Sequence, residues 1–375
     1  MSKSPCEMYL VKLEREENLK EEEVALLLSC EEEQVVRELF ALADRKRRQY
    51  VGDAVHLRGL IEFSNICRKN CLYCGLRRDN RSLKRYRMSA EEIYAVGEKI
   101  ARLGIKTVVL QSGEDPWYDA RTIAHLVRRL KKLDLAVTLS IGEREKEEYA
   151  LWREAGADRY LLKQETFDRE LFRRLHPDDD YERRLACQEF LKELGYQVGS
   201  GNMVGLPGQS VESLARDIKN FQKWDFDMIG VGPFIPHPDT PLGSYRVDRE
   251  KQFLLTLKTL AITRILTRTA LLPATTALGT LVPGGREKAL QCGGNVFMPN
   301  LTPSCYREHY TIYPGKICLT EEWGSCLPCM KAMVERLGRT VATDYGHRKK
   351  TGLPDGGPSG KDVTPQTSPD AGHSP

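Results

Sequence analysis

Cys67, Cys71 and Cys74 stand in Cys-x3-Cys-x2-Cys spacing within the string CRKNCLYC. Three soft thiolates on one short loop suit an iron–sulfur cluster. A [4Fe–4S] cluster has four irons, and with no fourth cysteine close by, one iron is left open to a small molecule. Structural zinc normally takes four protein ligands, so a partial zinc knuckle is the poorer reading of this loop. A second group, Cys318, Cys326 and Cys329, has Cys-x7-Cys-x2-Cys spacing. Zinc completed by Cys305 or a histidine is one reading of that group. Cys6, Cys30, Cys187, Cys292 and Cys305 stand singly and read as packed thiols.

The elements that must position the first loop are legible in the hydrophobic rhythm. From residue 55, short runs suited to buried strands fall at 57–64, 106–111, 135–141, 159–164, 197–204, 228–233, 270–276 and 295–298. Helix-period segments lie between them, near 89–103, 119–133, 144–156, 179–194, 210–223, 249–268 and 284–291. Eight alternations over 51–300 predict an α/β fold, a (β/α)8 TIM barrel; an open doubly wound sheet is disfavoured because no G-x-G-x-x-G follows the first strand. The thiol loop then falls on the barrel's C-terminal face, where active sites of this fold lie. Residues 1–50 predict two or three amphipathic helices, with a start near Asn18–Glu23. Residues 301–345 form a closing segment with a helix over 327–337, and 346–375 lack the large apolar side chains needed for order.

Composition narrows the class. The chain has 375 residues, 57 Lys+Arg against 53 Asp+Glu, and 11 Cys. A net charge of +4 is too small for an obligate nucleic-acid binder of this length. No apolar run reaches the ~18 residues of a spanning helix, and no secretory signal opens the chain, so no membrane association and a cytoplasmic location are expected. Cysteine usage in such a chain points to metal or redox chemistry rather than disulfides.

The triplet, with aromatic Tyr73 before its third cysteine, resembles the signature of the radical S-adenosylmethionine enzymes. The resemblance implies that Cys67, Cys71 and Cys74 bind three irons and that the methionine amino and carboxylate groups of S-adenosylmethionine chelate the fourth. One electron then cleaves the sulfonium and yields a 5′-deoxyadenosyl radical. Gln111-Ser112-Gly113-Glu114-Asp115 stands where the family usually has a Gly-Gly-Glu-like stretch facing the cofactor ammonium, with Ser112 replacing the first glycine. Ser140, Glu165, Arg184 and Met203 lie at or just beyond the ends of later strands and are further expected cofactor contacts; for Glu165 and Arg184 a structural ion pair is the alternative.

The strings LQSGED, LLKQET, MVGLPGQ, GPFIPHPDTPL, PATTALG, MPNLTP and YPGKICL, in order over residues 50–348, resemble the radical maturases of [FeFe]-hydrogenase assembly. These group with biotin synthase and methylornithine synthase. Biotin synthase carries auxiliary-cluster cysteines on barrel strands; the corresponding strands here read LSI, GVG and ATT. The resemblance implies an accessory [4Fe–4S] or [2Fe–2S] cluster, dispensable for activity, on Cys318, Cys326 and Cys329. It also implies a small organometallic iron–carbonyl–cyanide–cysteine substrate, supplied by another hydrogenase maturase and leading to the diiron subsite of the H-cluster. Arg58, Thr138, Arg159, Thr275 and Thr276 form a cationic and hydroxylic set expected to hold substrate, capped by Tyr310 and Tyr313. Six basic residues between Arg77 and Arg87 suit a solvated loop or a dock for an acidic reductant such as ferredoxin or flavodoxin. The alternatives are a mutase or lyase on a small amino acid and a non-catalytic iron–sulfur carrier.

Overall fold

The computed structural model describes residues 3–319 and 323–350, with the side chains of 323–326 outside that description. Three helices come first: α1 (Pro5–Glu16), α2 (Glu21–Ser29) and α3 (Glu33–Val51). The strands are β1 (Ala54–Leu57), β2 (Gly59–Ser64), β3 (Thr107–Ser112), β4 (Ala136–Ser140), β5 (Arg159–Leu161), β6 (Gln197–Val204), β7 (Met228–Pro233), β8 (Val296–Phe297) and β9 (Thr340–Val341). The covering helices are α4 (Ala90–Arg102), α5 (Ala120–Lys131), α6 (Lys146–Glu154), α7 (Arg169–Leu175), α8 (Tyr181–Glu193), α9 (Val211–Trp224) and α10 (Arg249–Thr267). After them come α11 (Thr276–Leu281), α12 (Gly285–Gln291), α13 (Ser304–Arg307) and α14 (Trp323–Arg336).

Local chemistry explains these elements. In α5 the Asp119 carboxylate accepts from the Thr122 N–H at the N-cap, and Ile123, Leu126, Val127 and Leu130 form the buried stripe. Burying each such side chain stabilises the fold by about 1.5–3 kcal/mol. Every residue of β2 is buried, as expected of a parallel strand covered on both faces.

β2 to β7 pair in sequential order as one parallel sheet. Single bridges complete the ring: Met228 to Leu271, Pro273 to Val296, and Leu60 to Asn300. Backbone hydrogen bonds support each step, from Ile229 N to Leu271 O (3.0 Å), Ala274 N to Val296 O (2.9 Å) and Leu301 N to Leu60 O (2.8 Å). The result is a (β/α)8 barrel whose last two staves are short. The stave expected over 270–276 is shorter than the sequence suggests, because Thr275 is already the N-cap of α11.

Alternation along the strands sorts the barrel interior into layers. Leu161, Met228, Leu271, Val296 and Met298 from four staves form an apolar cluster apart from the main core. Above it, toward the C-terminal ends, lie Glu62, Gln111, Ser140 and Lys163. Below it Arg58 and Arg159 sit near the strand starts, both buried.

The C-terminal segment closes both ends. At the top, the Lys316 ammonium pairs with Glu62, whose other oxygen accepts from Asn300 Nδ2 at 2.7 Å. At the bottom, Arg58 donates to Gly346 O (3.1 Å) and Arg159 donates to Tyr345 O. Arg348 then reaches Asp225 and Thr269. Residues 346–350 are therefore placed against the barrel, whereas the rest of the segment expected to be disordered, 351–375, lies outside the described residues.

Two outcomes follow from this closure. Lys316→Met leaves a buried, unpaired Glu62 and lowers stability by about 3 kcal/mol, measurable by denaturant unfolding. At the bottom, burial holds His56 down at about 4, despite Asp344 at 3.1 Å from its Nδ1. Its folded pKa lies below its ordinary 6.5, so this stability is present above that pH and lost as pH falls toward 4. Amide exchange at 345–348, corrected for intrinsic rates, is expected to lose protection between pH 6.5 and 4, and His56→Gln to flatten that dependence.

Candidate active site

The thiol loop leaves β2 at the C-terminal face and is fixed by its own backbone. Gly113 N donates to Ser64 O (2.9 Å), Arg68 N to Glu114 O (3.0 Å), Leu72 N to Leu175 O (2.9 Å) and Gly75 N to Ile312 O (3.1 Å). The Arg85 guanidinium donates to four carbonyls, those of Asn65, Leu76, Arg77 and Asn80, at 2.6–3.1 Å. The basic run thus divides by role: Arg85 is internal scaffolding and Arg87 grips Asp115 with two nitrogens. Arg81 and Lys84 are exposed.

The three thiols are drawn into one environment. Burial pushes Cys67 up, Cys71 well up and Cys74 up to about 12; Cys71 also feels the charge of both other thiols, and Cys74 that of Cys67. Arg184 opposes the rise at Cys71 and Arg85 at Cys74. Glu114 N donates to Cys67 Sγ at 3.3 Å. Thiols so costly to ionise alone suit a bound iron–sulfur cluster, whose positive metal holds them as thiolates, and the donor set fits that group.

His176 and Asp179 also lie near Cys71, with ligand atoms mutually within 4.8 Å. Their valences are already used. His176 accepts from the Tyr73 hydroxyl at Nε2 (2.8 Å) and donates from Nδ1 to Phe172 O (2.9 Å). Burial lowers its pKa to about 3, so the ring is neutral. Asp179 is paired with Lys69 and Arg184. A mononuclear site with Cys71 is therefore not available.

The other expected cofactor contacts collect around this loop. A Cβ on Gly113 would lie 2.2 Å from Ile66 O, so only glycine permits β3 to approach the thiol loop. The Ser112 hydroxyl donates to Gly113 O at 2.6 Å, a bond the usual glycine does not make. Glu114 accepts from Arg68 Nε (2.6 Å) and from Glu143 N (2.9 Å). Arg184 is committed to Glu143 (2.7 Å) and Asp179, a structural pairing. Glu165 takes a left-handed backbone (φ 66), rare for a non-glycine residue, and pairs with Lys163 at 2.8 Å. Lys163 packs over Gly201, where a Cβ would lie 2.8 Å from its Cε and 2.2 Å from Gly230 O. Met203 N donates to Glu165 O (3.0 Å), and Ser140 ends β4 half-buried.

The expected substrate set divides. Thr275 and Thr276 open α11 at the top, and the Thr275 hydroxyl is buried without a hydrogen-bond partner among the described residues. Tyr310 is buried there, accepting from Gln111 at 3.3 Å, with Tyr313 half-buried three residues on. Arg58, Thr138 and Arg159 do not join them. Arg159 begins β5 and donates to Thr138 Oγ1 (3.3 Å) and Thr107 Oγ1 (3.4 Å), below the apolar layer. Their position along the strands puts these three toward the mouth opposite the thiol loop, where Arg58 and Arg159 meet the C-terminal segment. Sequence reasoning missed Glu62, Lys316, His176 and Glu143. Glu62 had a signal, a carboxylate inside the apolar run LRGLIEFS.

Cys318 takes φ 63 and its carbonyl accepts from Arg307, and Cys329 is exposed on α14. The Cys326 side chain lies outside the described residues.

The model of the Radical SAM superfamily matches residues 61–221, which include the thiol loop and the stretch around Gly113. The [FeFe] hydrogenase maturase subunit HydE of Thermotoga maritima is 54% identical over 341 residues, 91% of this chain and 97% of that protein. The 3-methylornithine synthase of Methanosarcina acetivorans is 31% identical over 289 residues, covering 76% and 80%. The crystal structure of methylornithine synthase (PylB) matches with a TM-score of 0.78 at 28% identity, covering 90% of this chain and 97% of that one. The fold is shared with the synthase, but the sequence follows the maturase over nearly its whole length: the chain belongs to the HydE family of radical S-adenosylmethionine enzymes and is a maturase acting in hydrogenase maturation.

Proposed function

We propose that Cys67, Cys71 and Cys74 hold the [4Fe–4S] cluster of this radical enzyme, and that S-adenosylmethionine lies against Tyr73, Ser112, Gly113, Glu114, Ser140, Glu165 and Met203. The observation that carries the reading is the gathering of three half-buried thiols, with Cys71 feeling the charge of both others, at the barrel's C-terminal face. When bound, cluster and S-adenosylmethionine supply one-electron cleavage to a 5′-deoxyadenosyl radical. The chain's own residues shape and seal the chamber. Arg184, Lys69, Glu143 and Asp179 fix three βα loops against one another, and in this reading the Glu165 carboxylate, paired with Lys163 through one oxygen, accepts from cofactor hydroxyl or amino groups.

The substrate in this reading is a small organometallic iron–cysteine complex supplied by another hydrogenase maturase and destined for the H-cluster diiron subsite. Its contacts are Thr275, Thr276, Tyr310 and Tyr313, with Lys163 added and Arg58, Thr138 and Arg159 removed, since Arg58 and Arg159 bind the C-terminal segment at the opposite mouth and Thr138 accepts from Arg159. Cys318, Cys326 and Cys329 are proposed to carry an accessory [4Fe–4S] or [2Fe–2S] cluster, supported by their spacing and by the exposure of Cys329. No helix among the described residues is long and apolar enough to cross a membrane, which is compatible with a cytoplasmic maturase.

Anaerobically reconstituted protein given dithionite and S-adenosylmethionine is expected to release 5′-deoxyadenosine, with Cys71→Ala reducing it about 100-fold or more. Absence of that product would identify a non-catalytic carrier. Restoration of hydrogenase activity in a host lacking its own maturase supports the maturase substrate; failure there, with turnover stimulated by lysine analogues, favours a methylornithine-synthase-like mutase.

The exposed Arg81 and Lys84 suit an acidic ferredoxin or flavodoxin as reductant. The double variant Arg81→Glu/Lys84→Glu is expected to slow flavodoxin-driven cluster reduction about tenfold at low salt while leaving reduction by dithionite unchanged.

A further inference from the structure

Far from the thiol loop, three helix ends meet. Cys6 lies in the first turn of α1, Cys30 is the C-cap of α2, and Glu32 is the N-cap of α3. Their sulfur and carboxylate atoms all lie within 4.8 Å of one another. Cys30 is only 4% exposed, whereas Cys6 is half-buried. The junction is rigidly framed. Ser4 caps α1 and its hydroxyl donates to Glu32 at 3.0 Å, while Lys258 of α10 donates to Leu28 O (2.9 Å) and Cys30 O (2.5 Å).

Two thiols and a carboxylate at this spacing also describe a site for a thiophilic divalent cation. The surrounding charge argues against that occupant. The Lys258 ammonium is buried beside Cys30, and the N-termini of α1 and α3 both point positive ends at the junction. The same surroundings tolerate a neutral sulfur–sulfur bond.

We propose that Cys6 and Cys30 form a redox-dependent disulfide that pins α1 to the α2–α3 junction. With a low-molecular-weight disulfide as oxidant, Cys6, the more accessible thiol, attacks one sulfur of the reagent and releases one small thiol. Cys30 then attacks the mixed disulfide at Cys6 and releases the second. One S–S bond breaks and one forms, the cysteine pair loses two electrons, and its two protons appear on the two released thiols. Burial first, then the neighbouring Cys30 and Glu32, push the Cys6 thiol up to about 12. Exchange at neutral pH is therefore slow, and a sulfur of such high pKa is a poor leaving group, so the bond once made resists reduction.

The test uses cluster-loaded protein, in which the catalytic cysteines are occupied, held anaerobically with oxidised glutathione. Non-reducing tryptic mass mapping is expected to find peptides 4–12 and 21–37 joined with loss of two hydrogens, and the thermal midpoint to rise by about 2–4 °C. Cys30→Ser is expected to retain glutathione on Cys6. Free alkylation of both cysteines in the wild type, glutathione on each separately, or stoichiometric zinc bound by the wild type and lost in Cys6→Ser would each overturn the proposal. The wild-type map decides even where a serine variant fails to fold.

Discussion

A loop that aims three thiols at a common point must be held from behind, by groups that do not compete for whatever the thiols bind. The Arg85 guanidinium does this by taking four backbone carbonyls of the loop that surrounds it. A planar, permanently charged group with five donors suits the task, because it satisfies carbonyls that a curled loop turns inward. Lysine offers fewer donors and no fork. The rest of the site is built outward from that held loop: β3 approaches through Gly113, Glu114 lends its N–H to Cys67, and α7 meets the loop at Leu175.

Around the loop the charges form a closed network rather than isolated pairs. Lys69 contacts Glu114, Glu143 and Asp179, and Arg184 contacts the last two from the other side. Each carboxylate side chain is almost wholly shielded from solvent, and each would be costly alone. Together they join the loops after β2, β3 and β4 to the start of α8, so the chamber wall behaves as one piece. The bare charge count of +4 conceals this arrangement.

The barrel and its thiol loop were legible because they rest on local signals. Strand runs alternate with helix periods, and three cysteines fall within eight residues. The interior layering was less legible. Period-two alternation tells which residues face inward but not at what height, and height decides the role of Arg58 and Arg159. Height depends on the stagger between staves, a property of pairings far apart in the chain. The Glu62–Lys316 pair was hidden for the same reason, its members being 254 residues apart. Likewise His176 and Asp179 belong to a loop whose string, HPDDD, reads as an ordinary solvated turn until α7 and α8 bring it beneath Cys71.

The ring is completed where Leu60 meets Asn300, so its first stave waits for its last. During synthesis the thiol loop emerges more than two hundred residues before that seam closes. In the interval β2 has one edge unpaired and the future chamber is an open trough. Closure of this kind joins distant parts of the chain, which makes it a slow step of folding. The thiol loop, made early, therefore gains its last backbone support, the bond from Gly75 N to Ile312 O, only when the C-terminal segment that covers the mouth has been made.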